Sequence, residues 1–202
     1  MRADKYRVEP ARRSFVVGRA ALRTLLGQRL NVSPASIKFV YGPHGKPHIL
    51  DEDGRDRIHF SISNTSDFIV VALSSSRVGI DIEQVLARDY SDLYAFALSG
   101  DEARFVGGLS AALRERAFLQ LWTRKEALLK AMGVGLSDVL PNMDVSCDER
   151  MHNLSAVGHS GLTTHAQFRV STIDIGDTCM AAIALQEPAA PISIYPYKID
   201  QF

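Results

Sequence analysis

The chain has 202 residues, enough for one domain with a sizeable core or for two small lobes that share one. Apolar residues make up 46%, and 23 basic side chains balance 23 acidic ones, so net charge does not direct the chain to nucleic acid or membranes. Two cysteines and a charged N-terminal segment without an apolar run argue against a disulfide framework and a secretory signal, and a cytoplasmic protein is expected.

The first half is predicted to contain one helix followed by short strands. Residues 12–30 follow a proline and predict a helix with an apolar stripe, formed by Phe15, Leu22, Leu25 and Leu26. Residues 36–49 predict a short strand, a turn rich in Gly and Pro, and a second extended piece. Residues 58–83 predict a hairpin that turns at 64–67, followed by a further strand.

The second half repeats this order more loosely. Residues 90–110 predict a helix and connector, and residues 114–133 contain the strongest helical pattern, ended by glycine. Residues 165–185 then predict a strand, a turn and a strand. The fold class is therefore predicted as α+β with two similar lobes, 1–85 and 86–202. Any α+β chain can yield a helix and a hairpin twice, so the pattern alone leaves a duplication open.

Two carboxylates stand two residues apart in "VGIDIE". As a strand, this segment places Asp81 and Glu83 on one face and Ile80 and Ile82 on the other. In a half-buried strand the two acids would simply face water. Alternatively, the two hard oxygen ligands relieve their mutual repulsion by binding a divalent cation such as Mg²⁺. The segment by itself does not decide between these interpretations.

The strongest predicted helix carries three charges beside its apolar stripe. Glu126 and Lys130 are one turn apart, and Lys125 lies within the stripe. A surface pair contributing about 0.2–0.5 kcal/mol would explain the first two, and a lysine whose stem is buried and whose ammonium reaches water would explain the third. Two cations beside a carboxylate on a half-buried face also suit a metal-bound phosphate ligand.

Other groups that could contact phosphate lie in the first half. They are Arg2, Lys5, Arg12, Arg13 and Arg19 near the first helix, and Lys46 in the turn rich in Gly and Pro. Each alone is more simply a solvated surface charge. The spacing around Lys46 is not that of a nucleotide-binding Walker A loop, and no motif for acyl-enzyme or dinucleotide chemistry is present.

Five segments, in this order, resemble those of a known enzyme family. They are "GKP" (45–47), "FSISNTSD" (60–67), "VGIDIE" (78–83), "FALSGDE" (96–102) and "WTRKEALLKAMGVGL" (122–136). Together they resemble a 4′-phosphopantetheinyl transferase of the larger, surfactin-synthetase-activating type. The resemblance implies a pseudodimer of two lobes, each a helix packed on a small, mostly antiparallel sheet, with coenzyme A in the cleft between them.

The resemblance also implies an activity. It is the Mg²⁺-dependent transfer of the 4′-phosphopantetheine arm from coenzyme A to a serine of an acyl or peptidyl carrier protein, with release of adenosine 3′,5′-bisphosphate. The implied metal ligands are Asp81, Glu83 and Glu126. Glu126 would also take the serine proton, directly or through a metal-bound water, and Lys130 would stabilise charge on the leaving group. The implied coenzyme contacts are Arg2, Arg13, Lys46, Pro47, Ser63, Asn64, Asp81, Lys125 and Lys130.

Two departures from the family pattern stand out. Asn64 and Thr65 occupy positions where the family usually has His and Ser, and an amide cannot become cationic beside a phosphate. Leu98 stands where an aromatic residue is common, which puts the role of Glu102 in doubt.

The resemblance implies a monomer whose partners are coenzyme A and a carrier protein from fatty acid, polyketide or nonribosomal peptide biosynthesis. Segment 105–118, with Arg114 and Arg116, is the predicted carrier dock. A non-catalytic protein that binds coenzyme A or a carrier on the same scaffold is the alternative. A Mg²⁺-dependent nuclease or nucleotidyl transferase is disfavoured by the neutral net charge and by the lack of a basic, aromatic-lined face. Neither nucleic acid nor membrane is expected as a partner.

Overall fold

The structure is a computed structural model that describes residues 9–135, 140–145, 151–157, 163–188 and 191–197. The α-helices are α1 (Glu9–Leu30), α2 (Tyr94–Ala97), α3 (Gly100–Gly108) and α4 (Ala111–Met132). The strands are β1 (Val40–Tyr41), β2 (Pro47–His48), β3 (His59–Asn64), β4 (Ile69–Ser74), β5 (Val78–Gln84), β6 (Met151–Val157), β7 (Thr163–Ile173) and β8 (Cys179–Gln186). Among the described residues, short 3₁₀ turns lie at Pro34–Ser36, Ser91–Leu93 and Leu140–Asn142.

In the first half, α1 packs on a hairpin. Strands β3 and β4 pair antiparallel from His59–Ser74 to Asn64–Ile69, and β1 pairs with β2. The apolar stripe of α1 supplies Leu22 and Leu26 to a core that also contains Phe60 of β3. The predicted helix, the predicted hairpin and the two short extended pieces before it are therefore confirmed.

The second half is built on a four-stranded antiparallel sheet in the order β5-β8-β7-β6. Helix α4 covers one face, where Phe118 and Leu128 pack against Phe168 of β7 and Ala182 of β8. The opposite face of β5 and β8 packs against β4. Helices with small antiparallel sheets confirm the α+β fold class.

Strand β5 does not belong to the sheet of the first half. Residues 1–85 were predicted as one lobe, yet β5 pairs along its whole length with β8, from Val78–Leu185 to Gln84–Cys179. Strand β5 is the outer strand of this sheet, and β3 lies beside it. Ser61 Oγ of β3 accepts a hydrogen bond from the Ile80 amide of β5 at 3.1 Å. A strand predicted from local alternation carries no information about its partner. The two halves therefore meet along β5.

A glycine sets the distance between β5 and α4. A Cβ atom at Gly79 would lie 1.9 Å from the Ala127 carbonyl oxygen and 2.4 Å from the Ala131 amide nitrogen. The helix backbone therefore rests directly on the strand, as a strand glycine permits. At its far end α4 stops at Gly133, which has a left-handed conformation with φ 74°.

Within the parts of the chain that the structure describes, no helix combines the length and the apolarity needed to cross a bilayer.

Candidate active site

The two acids of β5 face α4. Lys130 on the helix contacts Asp81, and Trp122 contacts Glu83. Ile80 and Ile82 pack into apolar clusters on the other face. Asp81 is 3% exposed, so a strand that shows its acids to water is ruled out for this residue. The alternation of β5 instead directs its carboxylates into the junction with the helix.

Asp81, Lys130 and Ser63 form a hydrogen-bonded triangle. The Lys130 ammonium lies 2.6 Å from Asp81 Oδ1 and donates to Ser63 Oγ at 3.0 Å. Ser63 in turn donates to Asp81 Oδ1 at 2.8 Å. Three elements, β3, β5 and α4, therefore meet at one carboxylate oxygen. The side chain of Lys130 remains 30% exposed, so its charge lies at the surface of the junction.

Glu83 is held by a tryptophan. The Trp122 indole N–H donates to Glu83 Oε1 at 3.3 Å. Burial raises the pKa of Glu83, and the neighbouring Asp81 charge adds to the rise, while Trp122 and Lys130 oppose it. The sequence placed Trp122 only in the apolar stripe. A lone tryptophan one turn before Glu126 was the signal that this ring supplies a donor as well as area.

Glu126 is the most strongly perturbed acid of the site. Burial is the main cause that raises its pKa to about 7; the charges of Asp81 and Glu83 contribute to this rise, and Lys130 opposes it. Glu126 Oε1 is buried without a hydrogen-bond partner, and so is Asp81 Oδ2. A carboxyl group that titrates near neutrality among other acids is typical of functional sites.

These oxygens fit a magnesium ion in their chemistry. Two buried carboxylate oxygens without partners, and three acids whose charges destabilise one another, form the hard oxygen set that Mg²⁺ prefers. Within the described residues, however, no three His, Cys, Asp or Glu side chains are arranged to hold a metal ion as they stand. Asp81 Oδ1 is already bonded to Lys130 and Ser63. The donor types therefore fit Mg²⁺, although the described oxygens are not arranged around an ion.

Lys125 was predicted to contact the coenzyme, and the structure places its side chain in the core, away from the acids of β5. Its ammonium is fully buried, pairs with Glu102 Oε2 at 2.5 Å, and donates to the carbonyls of Ala97 and Leu140 at 2.8 Å each. Burial lowers its pKa, and Glu102 opposes that effect. A buried ammonium needs acceptors for all of its hydrogens, and here they are found in the core.

Glu102 completes this internal network. Its carboxylate accepts from the Ser99 amide at 2.8 Å and the Val145 amide at 2.9 Å in addition to Lys125. Ser99 and Glu102 also form the capping box of α3. Glu102 is therefore structural, which removes the doubt raised by Leu98.

Lys46 is also placed differently from the prediction. Its ammonium donates to backbone carbonyls of Val78, Lys130 and Ala131. A contact with the coenzyme's phosphate was predicted for it, and in this structure its hydrogens are directed into the protein.

The remaining predicted coenzyme contacts are spread out. Pro47 lies in β2, Asn64 is exposed at the end of β3, and Arg13 is exposed on α1. Arg2 and Lys5 lie outside the described residues. The structure therefore brings together Ser63, Asp81 and Lys130 by direct bonds, and Glu83 and Glu126 through their charges.

Buried acids with raised pKa values beside a partly exposed lysine at a helix–strand junction are typical of a functional site. Residues 77–183, which include β5 and α4, match the 4′-phosphopantetheinyl transferase superfamily. The chain belongs to this family.

Named relatives agree with this assignment. The chain is 30% identical over 188 residues to the 4′-phosphopantetheinyl transferase HetI of Nostoc, covering 91% of this chain and 75% of HetI. It is 26% identical over 201 residues to the 4′-phosphopantetheinyl transferase Sfp of Bacillus subtilis, covering 94% of this chain and 80% of Sfp. A Synechocystis relative, whose name assigns it to the same transferases, is 32% identical over 166 residues. That match covers 81% of this chain and 66% of the Synechocystis protein.

Proposed function

We propose that this chain transfers the 4′-phosphopantetheine arm of coenzyme A to a serine hydroxyl of an acyl or peptidyl carrier protein. The serine oxygen forms a bond to the phosphorus next to the arm, the pyrophosphate bond breaks, and adenosine 3′,5′-bisphosphate leaves. The single observation that carries this proposal is the junction of β5 and α4, where three acids and Lys130 meet in a chain of this family.

Asp81, Glu83 and Glu126 would hold Mg²⁺. The raised pKa values of Glu83 and Glu126 and the unpartnered oxygens of Asp81 and Glu126 support this assignment. When bound, the ion would neutralise charge on the pyrophosphate and polarise it for attack.

The protein's own groups divide the proton and charge chemistry. Glu126 is the base that accepts the serine proton. In the metal-free protein, burial and the charges of Asp81 and Glu83 raise the pKa of this carboxyl group. Lys130 stabilises the charge on the departing phosphate, and its partial exposure leaves the ammonium within reach of a ligand at the junction. Ser63, bonded to both Asp81 and Lys130, orients that ammonium.

The coenzyme would bind where the two halves meet. Each half has a long helix on a small antiparallel sheet or hairpin, which supports a monomeric pseudodimer with its cleft along β5. Ser63 comes from the first half and Lys130 from the second. Arg13, Pro47 and Asn64 remain candidates for the nucleotide end of the coenzyme.

The carrier protein would dock beside the N-terminal part of α4. Phe105 and Leu113 are 49% and 54% exposed in segment 105–118. Arg114 and Arg116 add positive charge, although Arg114 also donates to the carbonyls of Leu109 and Gly107. Exposed apolar side chains next to cations suit the acidic carriers that the family serves. Charge reversal at both arginines should raise the KM for the carrier and leave coenzyme binding unchanged.

The test is a mass measurement. Incubation with coenzyme A, Mg²⁺ and an apo carrier protein should add the mass of the arm to the carrier, and Glu126→Gln should nearly abolish the gain while keeping the fold. Coenzyme binding without any gain on fatty acid, polyketide and peptide carriers would instead identify a non-catalytic binding protein. An active Glu126→Gln variant would remove Glu126 from both of its proposed roles.

A further inference from the structure

Lys46 makes an unusual set of contacts from the turn between β1 and β2. Its ammonium lies 2.5 Å from the Lys130 carbonyl oxygen, 3.1 Å from that of Val78 and 3.5 Å from that of Ala131. Three acceptors match the three hydrogens of an ammonium group. All of them are backbone atoms of other elements.

Two of these carbonyls belong to the last turn of α4. The final carbonyls of a helix have no partner within the helix, and a cation at this end interacts favourably with the helix dipole. The amides of Gly133 and Val134 already bond to Leu129 and Lys130 in the helix's own C-terminal cap. Lys46 adds a second cap, supplied from the first half of the chain.

The third carbonyl connects this cap to the strand of the acids. Val78 begins β5, three residues before Asp81. Lys130 is therefore held at both ends: its carbonyl by Lys46, and its ammonium by Asp81 at 2.6 Å. One ammonium group thus joins the end of α4 to the start of β5, the two elements that carry the candidate active site.

We propose that Lys46 is a positioning residue that fixes α4 against β5, and so sets the distance of Lys130 and Glu126 from the acids of the strand. This inference rests on the proposed function. It departs from the expectation that Lys46 binds the coenzyme's 3′-phosphate, because its hydrogens are engaged by carbonyls. Burial lowers the pKa of Lys46 to about 8 against the opposing charge of Asp56, which agrees with an ammonium withdrawn from water.

A contact with the 3′-phosphate and a positioning role for Lys46 predict different results with two substrates. Coenzyme A and 3′-dephospho-coenzyme A differ only in the 3′-phosphate, so a lost phosphate contact harms the reaction with coenzyme A alone. A misplaced helix harms the chemical step with both. A displacement of about 1 Å costs on the order of 100-fold in rate. For Lys46→Met we therefore expect kcat to fall about 10- to 100-fold, by the same factor with both substrates, and KM for coenzyme A to change little.

The matched control is Lys38→Met, which removes an exposed lysine from the same half of the chain. Lys46→Arg keeps the charge and several donors, and it should restore part of kcat. Lys46→Arg also keeps the test falsifiable if Lys46→Met does not fold. Two results would overturn the proposal: a rise in KM confined to coenzyme A with kcat retained, or kinetics of Lys46→Met equal to those of Lys38→Met.

A second readout does not depend on activity. Hydrogen exchange at the amides of Gly133 and Val134 should be faster in Lys46→Met than in Lys38→Met, because the end of α4 loses its external cap. If the unmodified protein transfers no arm, the proposed function fails, and this exchange measurement still tests whether Lys46 holds the helix. Unchanged exchange would refute the positioning role.

Discussion

Replacing Gly79 by alanine tests whether the contact between β5 and α4 controls the site. The added Cβ would lie 1.9 Å from the Ala127 carbonyl oxygen, whereas real Cβ atoms essentially never approach closer than 3.0 Å. The atoms that this Cβ would meet belong to the backbone of α4, so no side chain can rotate away to make room. The helix and the strand must therefore separate by about 1 Å or more.

This separation has a calculable effect on the acids. Lys130 Nζ and Asp81 Oδ1 are 2.6 Å apart, and an added 1 Å takes them beyond hydrogen-bond distance. A misplacement of this size costs on the order of 100-fold in rate. The overpacked junction should also lower the free energy of unfolding by about 1–3 kcal/mol.

The assay combines the kcat of arm transfer with urea unfolding. Gly100→Ala is the matched control, because a Cβ there meets open space at the start of α3, outside the proposed carrier dock, and it should leave kcat unchanged and raise stability by about 0.4–1 kcal/mol. Normal stability and normal kcat in Gly79→Ala would refute the close contact. Reduced stability with normal kcat would refute the link between this contact and the chemistry.

Three further changes address the buried charges. Lys125→Met leaves the Glu102 carboxylate buried without its cation, so the free energy of unfolding should fall by about 3–5 kcal/mol. Adding Glu102→Gln should recover part of this loss. A loss under about 1 kcal/mol in urea unfolding would contradict the pairing of Lys125 with Glu102. Because the pKa of Glu126 is raised in the folded state, the stability it contributes is full below its unfolded pKa and lost as pH rises through about 7. Glu126→Gln should therefore raise urea stability in metal-free buffer by about 1–3 kcal/mol at pH 8 and by less at pH 5, and an equal effect at both pH values would contradict the shift. Trp122→Phe removes the hydrogen-bond donor to Glu83 and keeps most of the ring area. The affinity for Mg²⁺, measured by calorimetry, should therefore fall about 10-fold or more. Unchanged affinity would show that this hydrogen bond does not orient Glu83.

Local periodicity predicted most of the elements that carry the site. The helical stripe around Phe118 and Leu128 and the alternation of "GIDIE" follow from rules that act within a few residues. Strand β6 was missed, because "MHNLSAV" has neither regular alternation nor a run of β-branched residues. Its position in the sheet depends on β7, a partner that a local pattern does not reveal.

Lys125 and Lys46 show a different limit of sequence-based prediction, which is the partner of a charged side chain. The sequence marks Lys125 as a cation on an apolar stripe, but its partner Glu102 lies on another helix and is identified only by the packing of α3 on α4. For Lys46 the acceptors are carbonyl oxygens, which every residue has, so no residue type marks them. Both positions matched the family's pattern, and the match did not specify the direction of either side chain.

The buried acids of the junction destabilise the folded state, and this destabilisation indicates that they serve a purpose other than stability. Asp81 offsets its charge with Lys130, whereas Glu83 and Glu126 respond to burial and repulsion with raised pKa values. A core under selection for stability alone would replace such acids with apolar residues. A group that binds these oxygens would instead release the proton of Glu126 and remove the repulsion, so its binding should strengthen as pH rises through about 7. Calorimetric titration of the free protein with Mg²⁺ at pH 6 and pH 8 measures this dependence directly, and equal affinity at both values would remove Glu126 from the ligand set.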